Sequence, residues 1–221
     1  MTTLRIGHFS DLHGKYHILD RVEETPDLWV STGDFFPNWE PAYPEEEVAK
    51  QSRWFRHKVQ SIRARLRGRP VMVVEGNHDF AHLVPLLRRW GVEAYAVGAH
   101  PLEFAGWRWG GFREIPFIRG RWNGELDRDL FAPLIEGVFA AADPEILLTH
   151  APAFGTLDAA DRAHIGIEAL AEFLETGGER GHRVHHHFFG HNHEAGGLDL
   201  ERDGISYHNS ATTARIIELT R

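Results

Sequence analysis

Five times along this chain a short apolar run stops abruptly at a cluster of carboxylate, imidazole or amide side chains. Leu4 to Phe9 runs into Ser10-Asp11-Leu12-His13, and Leu28-Trp29-Val30 into Gly33-Asp34. Val71 to Val74 runs into Gly76-Asn77-His78-Asp79, Ile146-Leu147-Leu148 into Thr149-His150, and Phe188-Phe189 into Gly190-His191-Asn192-His193. Apolar runs of this length, bounded by Gly and polar residues, read as strands. Five strands that end alike deliver polar side chains to one edge of a sheet, the edge at which open α/β sheets bind ligands.

The 221 residues are 42% hydrophobic, enough to bury a sizeable core, and no linker divides them, so one domain over residues 1–221 is expected. The absence of cysteine excludes a disulfide framework and a thiolate metal site, leaving nitrogen and oxygen as the only strong metal donors. The chain enters its first strand almost at once, without a signal-peptide pattern, and no apolar run nears the length of a membrane span. The expected location is therefore cytoplasmic. A formal charge of −8 argues against specific nucleic-acid or membrane binding, both of which need a basic field. It does not argue against a phosphate substrate, since a bound metal pair reverses the local field. Nothing in the sequence marks an oligomeric state.

Between the strand ends, apolar spacing predicts a helix from Glu45 to Arg67 with Val48, Phe55, Val59, Ile62 and Leu66 as its buried stripe. Its acidic start and basic end complement the helix dipole. Further helices are expected at Leu83 to Trp90, Leu126 to Ala141, and Ala163 to Glu175, the last closed by Gly177-Gly178. Leu102 to Trp109 reads as a hairpin turning at Ala105-Gly106, and Leu198 to Asn209 as a second turning at Asp203-Gly204, ahead of a last strand at Ala214 to Leu219. Asp11 and His13, two apart, share a side if the chain there is still extended. The Pro-broken loop from Phe35 to Pro44, with Pro41 among its breakers, brings Trp39 and Tyr43 near the mouth of the site. Trp109, Phe112, Phe117 and Trp122 are candidates to wall a pocket, although large aromatics in a hairpin are more often core. Arg113 is a candidate phosphate contact, and His185, His186 and His187 read as packing residues. Helices early and hairpins late point to a mixed sheet or two sheets covered by helices. No Gly-x-Gly-x-x-Gly follows the first strand, which excludes a dinucleotide-binding fold.

Taken together and in this order, Asp-x-His, Gly-Asp, Gly-Asn-His-Asp, Thr-His and Gly-His-Asn-His resemble the five signature blocks of the calcineurin-like metallophosphoesterases, over Ser10 to His193. The resemblance implies an α/β fold, an αββα sandwich of two mixed β-sheets flanked by helices, with a dinuclear metal site at the sheet edge. It implies that Asp11, His13, Asp34 and His193 bind one ion and that Asp34, Asn77, His150 and His191 bind the other, with Asp34 bridging. It places His78 outside the ligands, near the leaving group, where an imidazole is a candidate general acid. Asp79 is then expected to hold that ring. Asn77, His78 and Arg113 are the candidate substrate contacts. Around the fourth block, His150-Ala151-Pro152, Gly155-Thr156-Leu157-Asp158 and His164-Ile165-Gly166 resemble a narrower subset that includes cyclic-nucleotide phosphodiesterases.

The implied activity is hydrolysis of a small phosphodiester, such as a cyclic nucleotide, by in-line attack of a metal-bridging hydroxide. The alternatives are a phosphomonoesterase acting on nucleotides or phosphoproteins, and a non-catalytic metal-binding scaffold. Against the scaffold stands an intact set of ligands together with His78. Two divalent ions with only two carboxylates keep a net charge of about +2, which attracts phosphate. A pair roughly 3.5 to 4 Å apart stabilises both the attacking and the leaving oxygen. Mixed imidazole and carboxylate ligation suits Mn, Fe, Zn, Co or Ni.

Overall fold

The strands that carry the polar clusters divide between two sheets that face one another. A computed structural model describes residues 3–37, 43–161, 163–177 and 181–221; Trp39, Pro41 and Gly178 lie outside the described residues. In chain order the strands are Thr3–Ser10 (β1), Leu28–Ser31 (β2), Val71–Val73 (β3), Ala94–Ala96 (β4), Leu102–Phe104 (β5), Trp107–Phe112 (β6), Ile115–Pro116 (β7) and Glu125–Leu126 (β8). Then follow Ile146–Thr149 (β9), Ala159–Ala160 (β10), Ala163–His164 (β11), His186–Phe189 (β12), Asp199–Arg202 (β13), Ile205–Asn209 (β14) and Thr213–Thr220 (β15). The helices are Pro44–Leu66 (α1), Leu83–Arg89 (α2), Phe131–Ala142 (α3) and Glu168–Thr176 (α4), with short 3-10 turns between them.

One sheet has the order β15-β1-β2-β3-β4 and the other β13-β14-β12-β9-β6-β5. Both have parallel centres and antiparallel edges, β15 in the first and β13 and β5 in the second. A parallel centre is covered on both faces, so its strands are apolar at successive positions. Ile6, Leu28, Val30, Met72, Ile146, Leu148 and Phe188 meet between the sheets. Phe9, Trp29, Val71 and Val73 share a core with Phe55 and Val59 of α1 and Leu87 of α2. Leu147 and Phe189 share another with Ile135 and Phe139 of α3 and Phe173 of α4. The result is four layers, αββα, with all the parallel strands pointing their carboxyl ends toward the same seam.

Several boundaries depart from expectation, each for a physical reason. In α1 the buried stripe continues toward the N-terminus through Gln51 and Glu47, and Val48 is exposed. Gln51 is buried there because it hydrogen-bonds to backbone groups of the His78 turn, and the Glu47 carboxylate accepts from Lys50 Nζ at 2.7 Å. The helix expected from Leu126 begins instead at Phe131, after Glu125–Leu126 has paired with Ile115–Pro116. Pro133 then falls in the first turn, where its missing N–H costs nothing, whereas a start at Leu126 would bury it in the helix interior. The helix expected from Ala163 begins at Glu168, because Asp158 captures the His164 ring at 2.8 Å and the Gly166 amide at 3.1 Å. Side-chain bonds of this kind compete with helix formation. Trp109 and Phe112 are core residues and Phe117 is exposed, so of the four candidate wall aromatics Trp122 alone stands at the site, against His78. No helix among the described residues is long and apolar enough to cross a membrane.

Candidate metal centre

Each of the seven candidate ligands lies just past the carboxyl end of a parallel strand: Asp11 and His13 after β1, Asp34 after β2, Asn77 after β3, His150 after β9, His191 and His193 after β12. The backbone there bends sharply. Asp11, His13, Asp34 and His191 have φ of 52°, 44°, 54° and 63°. Non-glycine residues enter this left-handed region uncommonly, Asp and His more readily than most. Asp11 and His13 thus reach the site through left-handed turns, and not by alternation along an extended strand. Their amides donate to the carbonyls of Gly33 and Asp34, both at 2.9 Å, which locks the end of β1 to the end of β2. Two glycines allow the loops to close in. A Cβ on Gly76 would stand 2.2 Å from Asp34 Oδ1, and one on Gly190 2.2 Å from Asp11 Oδ2.

The donor atoms of Asp11, His13 and His193 lie within 4.8 Å of one another, as do those of Asp11, Asp34 and His150. His193 Nε2 is 3.1 Å from Asp11 Oδ1, and His191 Nδ1 is 3.2 Å from His150 Nε2. His150 Nε2 is 2.9 Å from Asn77 Oδ1 and 3.5 Å from Asp34 Oδ2. The same Asp34 oxygen is 3.9 Å from Nε2 of both His13 and His78. The two carboxylates therefore sit between the imidazoles of both sheets, and His78 faces them.

Other groups fix this arrangement. His150 Nδ1–H donates to the Thr32 carbonyl at 2.7 Å, which sets the tautomer and leaves Nε2 turned inward. The amides of His191 and His78 donate to Asp11 Oδ2 at 2.9 Å and Asp34 Oδ1 at 2.8 Å. Gln51 donates to the His78 carbonyl at 2.6 Å and accepts from the amides of Phe80 and Ala81 at 2.9 and 2.8 Å. Sequence reasoning missed Gln51, and the signal was a glutamine four residues before Phe55, on the apolar stripe. Thr32 acts through its carbonyl and left no signal. Asp79 corrects an expectation: it does not hold the His78 ring. Its Oδ1 accepts from the amides of Phe35 and Phe36 at 2.9 and 3.2 Å and its Oδ2 from Gly76 at 2.9 Å, so it ties the turn to the end of β2. Arg113 lies behind the same turn, donating to Glu75 at 3.0 Å and to the Asp79 carbonyl at 3.3 Å.

Burial and charge act against each other across the cluster. Asp11 and Asp34 are each 2% exposed. Burial alone would raise their pKa values, but the hydrogen bond from His193 holds Asp11 low, and the charge and hydrogen bond of His150 hold Asp34 well below the usual carboxylate range. Burial would lower His150, yet Asp34 and Asp11 push it up to about 9, while burial and His150 push His191 down to about 4. Two buried carboxylates facing imidazoles from both sheets make a setting that suits a cation. His13 Nδ1, buried and without a hydrogen-bond partner among the described residues, adds an uncommitted donor. Two carboxylates, four imidazoles and an amide fit divalent transition metals.

The sequence pattern of the calcineurin-like phosphoesterases matches residues 4–195, and the chain belongs to that family. The family comprises metal-dependent hydrolases of phosphoesters and binds divalent metals. No curated protein matches the chain. Among solved structures, TT1561 of Thermus thermophilus is 13% identical with a TM-score of 0.58, covering 93% of this chain and 88% of that one. The phosphopantetheinyl hydrolase of Mycobacterium tuberculosis is 15% identical with a TM-score of 0.54, covering 94% and 89%. A Staphylococcus aureus protein assigned as a 5′-nucleotidase is 12% identical with a TM-score of 0.57, covering 99% of this chain and 51% of that one. At such identities the likeness is one of fold.

Proposed function

We propose that this chain is a phosphodiesterase acting on small phosphodiesters, cyclic nucleotides among them, with two divalent ions drawn from Mn, Fe, Zn, Co and Ni. Asp11, His13, Asp34 and His193 would hold one ion, and Asp34, Asn77, His150 and His191 the other. The observation that carries this reading is the convergence of seven donors on the seam between the sheets, with His78 Nε2 facing Asp34. When bound, the ions would activate water and offset charge on the phosphoryl oxygens. The residues of the chain supply position and a proton. The Thr32 carbonyl keeps His150 Nε2 turned inward, the His78 amide fixes Asp34, and Gln51 holds the backbone on either side of His78. His78 stands at the wall of the centre, 15% exposed, where its ring can meet a departing oxygen.

Two features support a diester. Glu75 and the Asp79 carbonyl engage Arg113, so the phosphate would be met by the ions and an imidazole, which suits the single negative charge of a diester. The segment from His150 to Gly166, closed by Asp158, is the one that resembles the phosphodiesterase subset. The test compares kcat/KM for bis-p-nitrophenyl phosphate and cyclic AMP with that for p-nitrophenyl phosphate and AMP, with each metal in turn. Diesters are expected to lead. A clear monoester preference refutes the diester reading, and turnover of neither class with any metal refutes the enzyme.

A further inference from the structure

An imidazole that must present one nitrogen to chemistry is ordinarily oriented by a hydrogen bond at the other. His150 follows that rule through Thr32. His78 does not: its Nδ1 is buried and has no hydrogen-bond partner among the described residues, and both oxygens of neighbouring Asp79 are occupied by backbone amides. What touches the ring is aromatic. The Trp122 indole lies 4.1 Å from it, centroid to centroid and tilted by 49°, and the His13 ring lies 5.1 Å away, edge on at 89°. The loop over residues 117–125 is fastened to the backbone on both sides of His78. Asn123 N–H donates to the Asn77 carbonyl at 3.0 Å, and Asn123 Nδ2 donates to the Asp79 carbonyl at 2.8 Å. Within the loop, the Glu125 carboxylate collects the amides of Arg119, Gly120 and Trp122.

We infer that Trp122 is a positioning residue: the fastened loop presses the indole on His78, and this packing, in place of a hydrogen bond, keeps Nε2 turned toward the metal centre. The inference rests on the reading of His78 as the group that protonates the leaving oxygen.

The experiment uses Trp122→Ala, Trp122→Phe, Asn123→Ala, His78→Ala and the Trp122→Ala/His78→Ala pair in the full chain. An alkoxide leaves only with a proton and p-nitrophenolate leaves without one. Trp122→Ala should therefore lose on the order of 10-fold more activity on alkyl or ribose diesters than on p-nitrophenyl diesters, a part of the range that general acids supply. Trp122→Phe should restore most of the difference, and the double variant should be no worse than His78→Ala alone. A second readout needs no metal. The His78 ring protons, assigned by their loss in His78→Ala, should show the upfield shift that a neighbouring indole imposes, and lose it in Trp122→Ala. If Trp122→Ala does not fold, Asn123→Ala, which keeps the indole but removes a bond that fastens it against His78, should reproduce the leaving-group effect. Equal losses on both ester types, additive losses in the pair, or unshifted His78 protons in the wild type overturn the inference. If His78→Ala itself loses equally on both esters, the acid reading fails, while the proton shifts still decide whether the indole packs on the ring.

Discussion

Asp34 receives imidazoles from three directions, His150 at 3.5 Å and His13 and His78 at 3.9 Å, while its other oxygen accepts the His78 amide. On the proposed ligand set this carboxylate would serve both ions. Asp34→Asn removes its charge without removing its bulk, so metal content should fall from about two ions per chain toward one or none. Elemental analysis of the purified variant decides the matter, and retention of both ions would show that Asp34 is not shared. The residues at this scale were the most legible in the sequence, because Asp, His and Asn past a strand end have few other uses in such a pattern. Two things were hidden. The left-handed φ of Asp11 and His13 follows from bonds to residues more than twenty positions away, which no local spacing reveals. Asp79 looked like a partner for its neighbour His78, yet its acceptors serve amides at Phe35 and Phe36 on another strand end.

At the scale of elements, α1 illustrates how a buried stripe carries two messages. Phe55, Val59, Ile62 and Leu66 pack on the first sheet, as apolar periodicity requires. The same face one and two turns earlier carries Gln51 and Glu47, where reading only hydrophobes moved the stripe to Val48. Gln51 makes three hydrogen bonds to the backbone of the turn that carries His78. Gln51→Ala leaves buried backbone groups without partners, and the expected cost is about 1–3 kcal/mol in denaturant-measured stability. Val48→Ala, at an exposed site, should stay within about 0.5 kcal/mol. A Gln51→Ala variant as stable as Val48→Ala would mean that water replaces the side chain fully. Helix starts at Phe131 and Glu168 were missed for a related reason: Pro133 and Asp158 act on the backbone through geometry, which hydrophobic spacing does not record.

For the molecule as a whole, the histidines outside the metal centre couple stability to pH. His187 is fully buried, and burial first, then His208, push its pKa down to about 3; its Nε2 lies 2.7 Å from Thr149 Oγ1. His8, between the sheets, is lowered by burial and by Arg215. A group whose folded pKa lies below its unfolded value of about 6.5 binds more protons when unfolded. Its contribution is whole above about pH 6.5 and is lost as pH falls through the window toward about 3, at about 1.4 kcal/mol per unit for a single site. His187→Gln should therefore flatten the fall in stability of metal-free protein between pH 6.5 and 4.5, measured by urea unfolding. Parallel curves for variant and wild type would show that His187 does not titrate on unfolding.

The seam between the sheets also has a consequence for biosynthesis. Asp11 and its imidazole partner His193 are separated by 182 positions, and Asp34 and His150 come from different sheets. During translation the first carboxylates leave the ribosome long before the imidazoles that balance them. A nascent chain that has made only the first four strands carries His13 and His78 but none of His150, His191 and His193, and contacts of such long sequence separation form late. If the proposed ions need donors from both sheets, a chain truncated before His150 should hold them poorly, which elemental analysis of that chain against the full one would show.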